Sequence, residues 1–432
     1  MRLGWAAAWA ASSMGCGSPP PEAAPPAPTE VGVEPAAAPL AVAAAEGLDR
    51  EIAGTEALIA KHDNDWTRRE ELAGLFQRRA RLTGRFADWI RADETLVAAF
   101  AIAPEGSGPH LSAARLEFAL HRLDGVEPHL AAHERRILVD EPDRAEIARI
   151  RGDVALQRGD HATARTHYDA SLALRPSLPA TYGHVQLAWW EARFDDAYAL
   201  LDTCDTLVHG KDENTRAWLD LQRGLIALDR GRWEEAERHY LAADLHFPGW
   251  YLVIEHLAEV RAEMGRIAEA EAAWRAVIDS TGGAPEFLDA LAESRRNAGD
   301  IQSADALAAR AEAGWRDLLS RYPTAASGHA FDHFLARDPA FALELARKDV
   351  AVRPNGSVRT RLAAALLANG DAPGARAEVE AVLATPYRSA ALYAVGAEAG
   401  GPQAADWRSA ALAIDPHSVD APDNPPPPGG PP

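Results

Sequence analysis

From about residue 145 to 388 the chain repeats one order of small, apolar and polar positions. A turn is followed by an apolar residue, then by a small one, then one helical turn later by a large apolar one. The turns read Gly159-Asp160, Ala192-Arg193-Phe194, Gly231-Arg232-Trp233, Gly265-Arg266-Ile267, Gly299-Asp300-Ile301 and Gly370-Asp371. The small position is filled by Ala164, Ala197, Ala236, Ala270, Ala304, Ala342 and Ala375, at separations of 33, 39, 34, 34, 38 and 33. Tyr168, Leu201, Tyr240, Trp274 and Val379 lie four residues beyond, on the same helical face. Glycine at the turn supplies the left-handed residue that ends many helices. Pro176, Pro248 and Pro354 stop the second helix, because proline lacks the donor a helix interior needs. The pattern predicts helix-turn-helix units, with an alanine wherever two helices approach closely.

Residues Gly224, Gly231, Ala236, Tyr240, Ala243 and Pro248 carry the fullest copy, in the unit 217–250. This pattern resembles the tetratricopeptide repeat, whose helix-turn-helix unit has a period of about 34 residues. Units near 145–178, 178–211, 251–284, 285–318 and 356–388 match with fewer positions. A unit at 323–356 departs, with Arg337 at the turn and Ala346 in place of a large residue. Worn copies surround Gly84-Arg85-Phe86, with Trp89 in the alanine place, and Leu123-Asp124, with Val126 there. A last copy runs from about Thr385 to Pro416, giving about ten units in all. The resemblance implies an all-α fold, a right-handed tetratricopeptide-repeat α-solenoid in which each unit packs only on its neighbours. The expected organisation is a leader over 1–16, a Pro/Ala-rich linker over 17–46, degenerate repeats over 47–144, the array over 145–416 and a Pro-rich tail over 417–432.

Charge narrows the partners. With 44 basic against 64 acidic residues the net charge is -20, which repels phosphate backbones, so nucleic acid is not an expected partner. The arginine-rich stretch Arg68 to Arg85 is interrupted by Glu70 and Glu71 and reads as a solvated helix face.

At the N-terminus, Arg2 precedes an apolar run from Leu3 to Ala11, followed by Ser12, Ser13, Met14, Gly15 and Cys16. The run has the form of a secretory leader and is too short for a permanent membrane span. Gly15-Cys16 resembles the bacterial lipobox, although Ser13 stands where that motif usually has leucine. The resemblance implies lipidation of Cys16, and Gly17 after it implies sorting to the outer membrane. The linker could then hold the array up to about 90 Å from the bilayer, at about 3.1 Å per residue. The alternative is an unprocessed start with an incidental cysteine. Cys204 is the other cysteine; it stands where Ala243 stands in the fullest copy and reads as a small core residue.

Catalytic chemistry is not written here. There is no phosphate-binding glycine loop, helical zincin motif or nucleophile elbow, so no enzyme, cofactor or metal is expected. Arg151-Gly152-Asp153 looks like an adhesion motif, but Gly152 occupies the helix-packing place of Gly224. His129 with His133, and His329 with His333, are spaced to share a helix face, where His121 or Asp332 could add a metal ligand; fifteen histidines also produce such pairs by chance. The tail from Pro422 is low-complexity, and its proline run is more often a bare terminus than a ligand.

By the resemblance, contacts are made on the inner face of each unit's first helix. There Glu255, Glu259, Glu263, Glu286, Asp289 and Glu293 form an acidic stripe, and Tyr182, Gln186, Trp189 and Trp190 an aromatic patch. These are the expected partner-binding residues, suited to a protein segment with basic and apolar side chains. The expected function is a lipid-anchored, non-catalytic scaffold or adaptor that supports assembly of outer-membrane, pilus or secretion machinery. Alternatives are an accessory factor for a metal or redox enzyme, a structural envelope protein without a peptide ligand, and a cytoplasmic scaffold if the leader is not processed.

Overall fold

The computed structural model describes residues 38–136 and 138–419. The leader, Cys16 and most of the expected linker and tail lie outside the described residues. Among the described residues there are twenty-one helices and no strand. Helix α1 (Leu40–Lys61) starts straight after Pro39, inside the segment expected as linker. The rest pair in chain order. Units of the first half are α2 (Trp66–Thr83) with α3 (Phe86–Ile102), α4 (His110–Ala119) with α5 (Leu123–Glu134), α6 (Glu141–Gln157) with α7 (His161–Leu174), α8 (Leu178–Trp190) with α9 (Phe194–Thr206), and α10 (Glu213–Asp229) with α11 (Trp233–His246). The second half adds α12 (Tyr251–Glu263) with α13 (Ile267–Thr281), α14 (Pro285–Asn297) with α15 (Ile301–Arg321), α16 (Pro323–Leu335) with α17 (Pro339–Val352), α18 (Gly356–Ala368) with α19 (Ala372–Leu383), and α20 (Ala390–Ala399) with α21 (Ala404–Ile414). The protein is a tetratricopeptide-type α-solenoid.

The repeat positions do the packing predicted for them. Ala164, Ala197, Ala236, Ala270, Ala304, Ala342 and Ala375 are all completely buried. Tyr240 fills the gap opposite Gly224: a Cβ on that glycine would stand 2.5 Å from Tyr240 Cδ1 and 2.9 Å from Cζ. The turn glycines are left-handed, as at Gly231 with φ 63°, and where a copy lacks glycine Ala192 and His121 take the same conformation at φ 55°. At the worn turn of α16–α17 Arg337 is not left-handed, and Asp338 starts the next helix by accepting from the Phe341 amide.

One expectation fails. Units do not pack only on their neighbours, because the superhelix winds tightly enough for its second turn to touch its first. Ala41 N donates to Pro248 O at 3.1 Å, and Trp250 Nε1 to Arg81 O at 3.4 Å. Thr324 Oγ1 donates to Leu120 O at 2.9 Å and Asn355 Nδ2 to Gln157 O at 3.1 Å, across separations of 204 and 198 residues. Arg388 N donates to Trp190 O at 2.8 Å, and Trp233 stacks on His417 at 3.8 Å. One turn therefore takes about six units of about 34 residues. Most of these contacts pair the turn of one coil with a unit boundary of the other.

Candidate functional site

Helix α12 places Tyr251, Glu255 and Glu259 one helical turn apart, and α14 continues the inner wall with Glu286, Asp289 and Glu293. The wall is enclosed from the other coil: a Cβ on Gly84 would stand 2.7 Å from the Tyr251 ring. Enclosure without matching cations sets the electrostatics. Burial, with the repulsion of Glu255 and Asp289, pushes Glu286 up to about 7. Burial does the same to Glu255, also about 7, and outweighs the attraction of His256, with a smaller contribution from the repulsion of Glu259. Asp229, at the end of α10, is reached by solvent yet is raised too, by enclosure and by Glu259 and Asp415, although Trp189 Nε1 donates to it at 2.8 Å.

Not every expected site residue is available to a partner. Asp289 is buried and accepts from Trp315 Nε1 at 2.8 Å and from His333 Nδ1 at 2.7 Å, so it joins α14 to α15 and α16. Tyr182, Gln186 and Trp189 are also buried. Tyr182 donates to Gln222 and meets the Trp218 ring edge-on at 4.4 Å, while Trp189 binds Asp229. These aromatics tie α8 to α10. Trp190 is half-buried against Tyr387 of the second coil at 6.0 Å. Glu255, Glu259, Glu263 and Glu286 are half-buried and Glu293 is exposed; Glu263 already has a neighbouring interaction. Glu255, Glu259, Glu286 and Glu293 thus remain closest to the acidic stripe expected from the sequence.

Sequence reasoning missed the histidine in this stripe. His256 is 1 % exposed, with Nδ1 3.2 Å from Glu259 Oε2 and Nε2 3.6 Å from Glu255 Oε2. Burial alone would lower its pKa, but the carboxylates Glu255 and Glu259 outweigh it and raise it. Tyr240 stacks on the ring at 5.5 Å and 21°. The spacing Glu255-His256…Glu259 is the sequence signal for it, a histidine with carboxylates one residue before and three after on one helix.

Those pairs divide between separate partners. His129 Nδ1 faces His110 Nδ1 at 3.2 Å, whereas His133 Nε2 bonds Asp143 at 2.7 Å. His333 binds Asp289, and His329 is held well below its ordinary pKa by burial and by Arg361 and Arg353. The positive surroundings of His329 oppose a bound cation. Cys204 is wholly buried, and burial pushes its thiol up to about 12, as for an inert core residue. Of the arginines before Gly84, Arg78 pairs with Glu51 and Arg79 with Asp88 and Asp49.

No protein-family model matches the chain, and neither does any curated protein. Solved structures do. The chain is similar to yeast Tom70 at 12% identity and a TM-score of 0.41, over 87% of each chain. It is similar to the Cut9–Hcn1 hetero-tetramer of the APC/C at 13% identity and a TM-score of 0.39, over 80% of this chain and 74% of that one. Human IFIT1, crystallised as a dimer with m7Gppp-AAAA, matches at 12% identity and a TM-score of 0.41, over 79% of this chain and 90% of that one.

Proposed function

We propose that this protein is a non-catalytic scaffold whose inner acidic wall takes a protein segment bearing basic and apolar side chains. The observation that carries this is Glu286, a half-buried carboxylate whose charged neighbours, Glu255 and Asp289, are themselves acidic. An enclosed carboxylate without a cation is costly, and a lysine or arginine delivered by a partner would lower that cost. Exposed Glu293 extends the same negative potential outward, where it would steer a basic segment at low salt. The test is anisotropy of a fluorescent lysine- and leucine-rich peptide with the full chain, at two salt concentrations. The double variant Glu259→Lys, Glu293→Lys should bind at least tenfold more weakly and with less salt dependence. Unchanged affinity would remove the acidic wall from the binding site.

The second part of the proposal is location. The apolar run to Ala11 and Gly15-Cys16 support export and lipid anchoring at Cys16, with outer-membrane attachment and a role in envelope assembly. Membrane fractionation of the wild type and Cys16→Ala, with mass spectrometry of the mature N-terminus, tests it. An unmodified, uncleaved N-terminus in the wild type would refute it.

A further inference from the structure

The ring of His256 lies between two carboxylates, but its two nitrogens are not treated alike. Nδ1 is within hydrogen-bond distance of Glu259 Oε2 at 3.2 Å. Nε2 is buried and makes no hydrogen bond, although Glu255 Oε2 faces it at 3.6 Å. If Nδ1 carries the proton and donates to Glu259, the bare Nε2 stands 3.6 Å from a carboxylate oxygen. Two electron-rich atoms held so close call for a positive charge between them, either a second proton on the ring or a metal ion. A carboxylate that fixes the Nδ1–H tautomer and so presents Nε2 is the usual support of a metal-binding histidine. The separation also suits a metal: two ligands each about 2.0–2.1 Å from a tetrahedral ion stand about 3.3 Å apart. One ligand atom from each of Glu255, His256 and Glu259 lies within 4.8 Å of the other two. The two glutamates are flexible enough to close the remainder by side-chain rotation.

We propose that Glu255, His256 and Glu259 form a site for one divalent transition-metal ion, with His256 Nε2 and Glu255 as ligands. Glu259 either orients the imidazole or swings in as the third ligand, and water completes the shell. One imidazole with carboxylate oxygens suits Zn2+ or Mn2+, whereas a site without thiolate is a poor holder of Cu(I). The stacked Tyr240 ring limits rotation of the imidazole, so the ligand is pre-oriented. Glu286 and Asp229 surround the site with further negative charge. The inference goes beyond the peptide-binding reading and does not depend on it, since either occupant alone would supply the missing positive charge.

The experiment is calorimetric titration of the full chain, stripped with EDTA and without peptide, using Zn2+ and Mn2+, with Mg2+ as a measure of unspecific attraction to acidic surface. The expected result is saturation at one ion per chain for Zn2+ or Mn2+ and at least tenfold weaker binding of Mg2+. His256→Gln and Glu255→Gln should each reduce affinity at least tenfold, while Glu344→Gln, an exposed carboxylate paired with Lys348 on α17, should bind within about threefold of wild type. Circular dichroism of each variant establishes that it is folded, and Glu255→Gln serves where His256→Gln is not. Absence of saturable binding, or Zn2+ affinity unaltered by both ligand substitutions, would overturn the proposal and leave His256 as an imidazolium between two carboxylates. Peptide binding repeated in EDTA separates the two readings, since loss of the metal site leaves peptide capture intact and the reverse.

Discussion

Gly224→Ala should destabilise the protein even though alanine is the better helix former. Glycine in a helix interior costs about 1 kcal/mol relative to alanine, so a substitution without steric consequence would stabilise by that amount. At Gly224 the new methyl would lie 2.5 Å from Tyr240 Cδ1 and 2.9 Å from Cζ, with Cε1 nearer still. Ordinary carbon contacts are about 3.5–4.0 Å, so the ring must retreat by about 1 Å or more. Tyr240 has no exposed surface into which to retreat, and His256 is stacked on it. Overpacking of this kind costs about 1–3 kcal/mol, and a rigid, enclosed ring falls in the upper part of that range. The expected net loss is about 1–2 kcal/mol. Gly74 is the control, because it lies inside α2 with nothing within 4 Å of an added Cβ, and Gly74→Ala should stabilise by about 0.5–1 kcal/mol. Urea unfolding followed by circular dichroism measures both, on the same array and against the same denatured chain. If the steric account is right, Gly224→Ala with Tyr240→Leu will be less unstable than the sum of the single changes by at least about 1 kcal/mol. A Gly224→Ala variant as stable as wild type would refute the reasoning.

Tyr168 and Tyr240 occupy equivalent positions, but only Tyr168 donates its hydroxyl, to Asp153 at 2.9 Å, whereas the Tyr240 hydroxyl is buried without a partner. Tyr240→Phe should therefore be neutral or stabilising by up to about 1 kcal/mol, and Tyr168→Phe should cost about 1–3 kcal/mol, both read from urea midpoints. Glu286 ionises near 4.5 in the unfolded chain and near 7 in the folded one, so its charge weakens folding increasingly from pH 4.5 to 7 and fully above that. Glu286→Gln should be more stable than wild type by about 2 kcal/mol at pH 8, after allowance for partial exposure, and no more stable at pH 4; an advantage independent of pH would contradict the assignment. Asn355 caps α18 by accepting from Val358 N and also donates across the coils to Gln157 O. Asn355→Asp keeps the cap and loses the donor, so it should cost about 1–2 kcal/mol and loosen the contact between turns, seen as a larger radius of gyration in small-angle scattering.

Much of the fold was legible because the repeat is a packing rule. Alanine at one place and a tyrosine or leucine one helical turn later fix which faces meet, and the structure buries Ala236, Tyr240, Ala197 and Leu201 completely. The candidate site was less legible for a physical reason. Periodicity assigns a residue to the inner face but does not say whether another helix already uses it. Trp189 and Tyr182 are on the expected helices and are consumed by Asp229 and Gln222 about forty residues on. Asp289 shares the spacing of the acidic stripe, yet its two oxygens are taken by Trp315 and His333. Such choices depend on side-chain partners in the next one or two units, and these do not repeat.

The contact between coils lies further still from what a local pattern can encode, and it changes how a partner must approach. A solenoid whose turns stand apart admits a segment sideways along its whole groove. Here Thr324 on Leu120, Asn355 on Gln157 and Arg388 on Trp190 join the coils at successive places about one superhelical turn apart in sequence. Lateral entry at those places would require breaking hydrogen bonds that are partly or, at Asn355, wholly buried, each worth about 1 kcal/mol when its partner is left unpaired. Entry along the superhelix axis breaks none of them. The acidic wall is thus better matched to an extended segment threaded along the axis, or to a small cation, than to a preformed helix laid in from the side. Loosening the coils through Asn355→Asp should then speed peptide association without changing the charge of the wall, whereas Glu293→Lys should slow association by altering that charge alone.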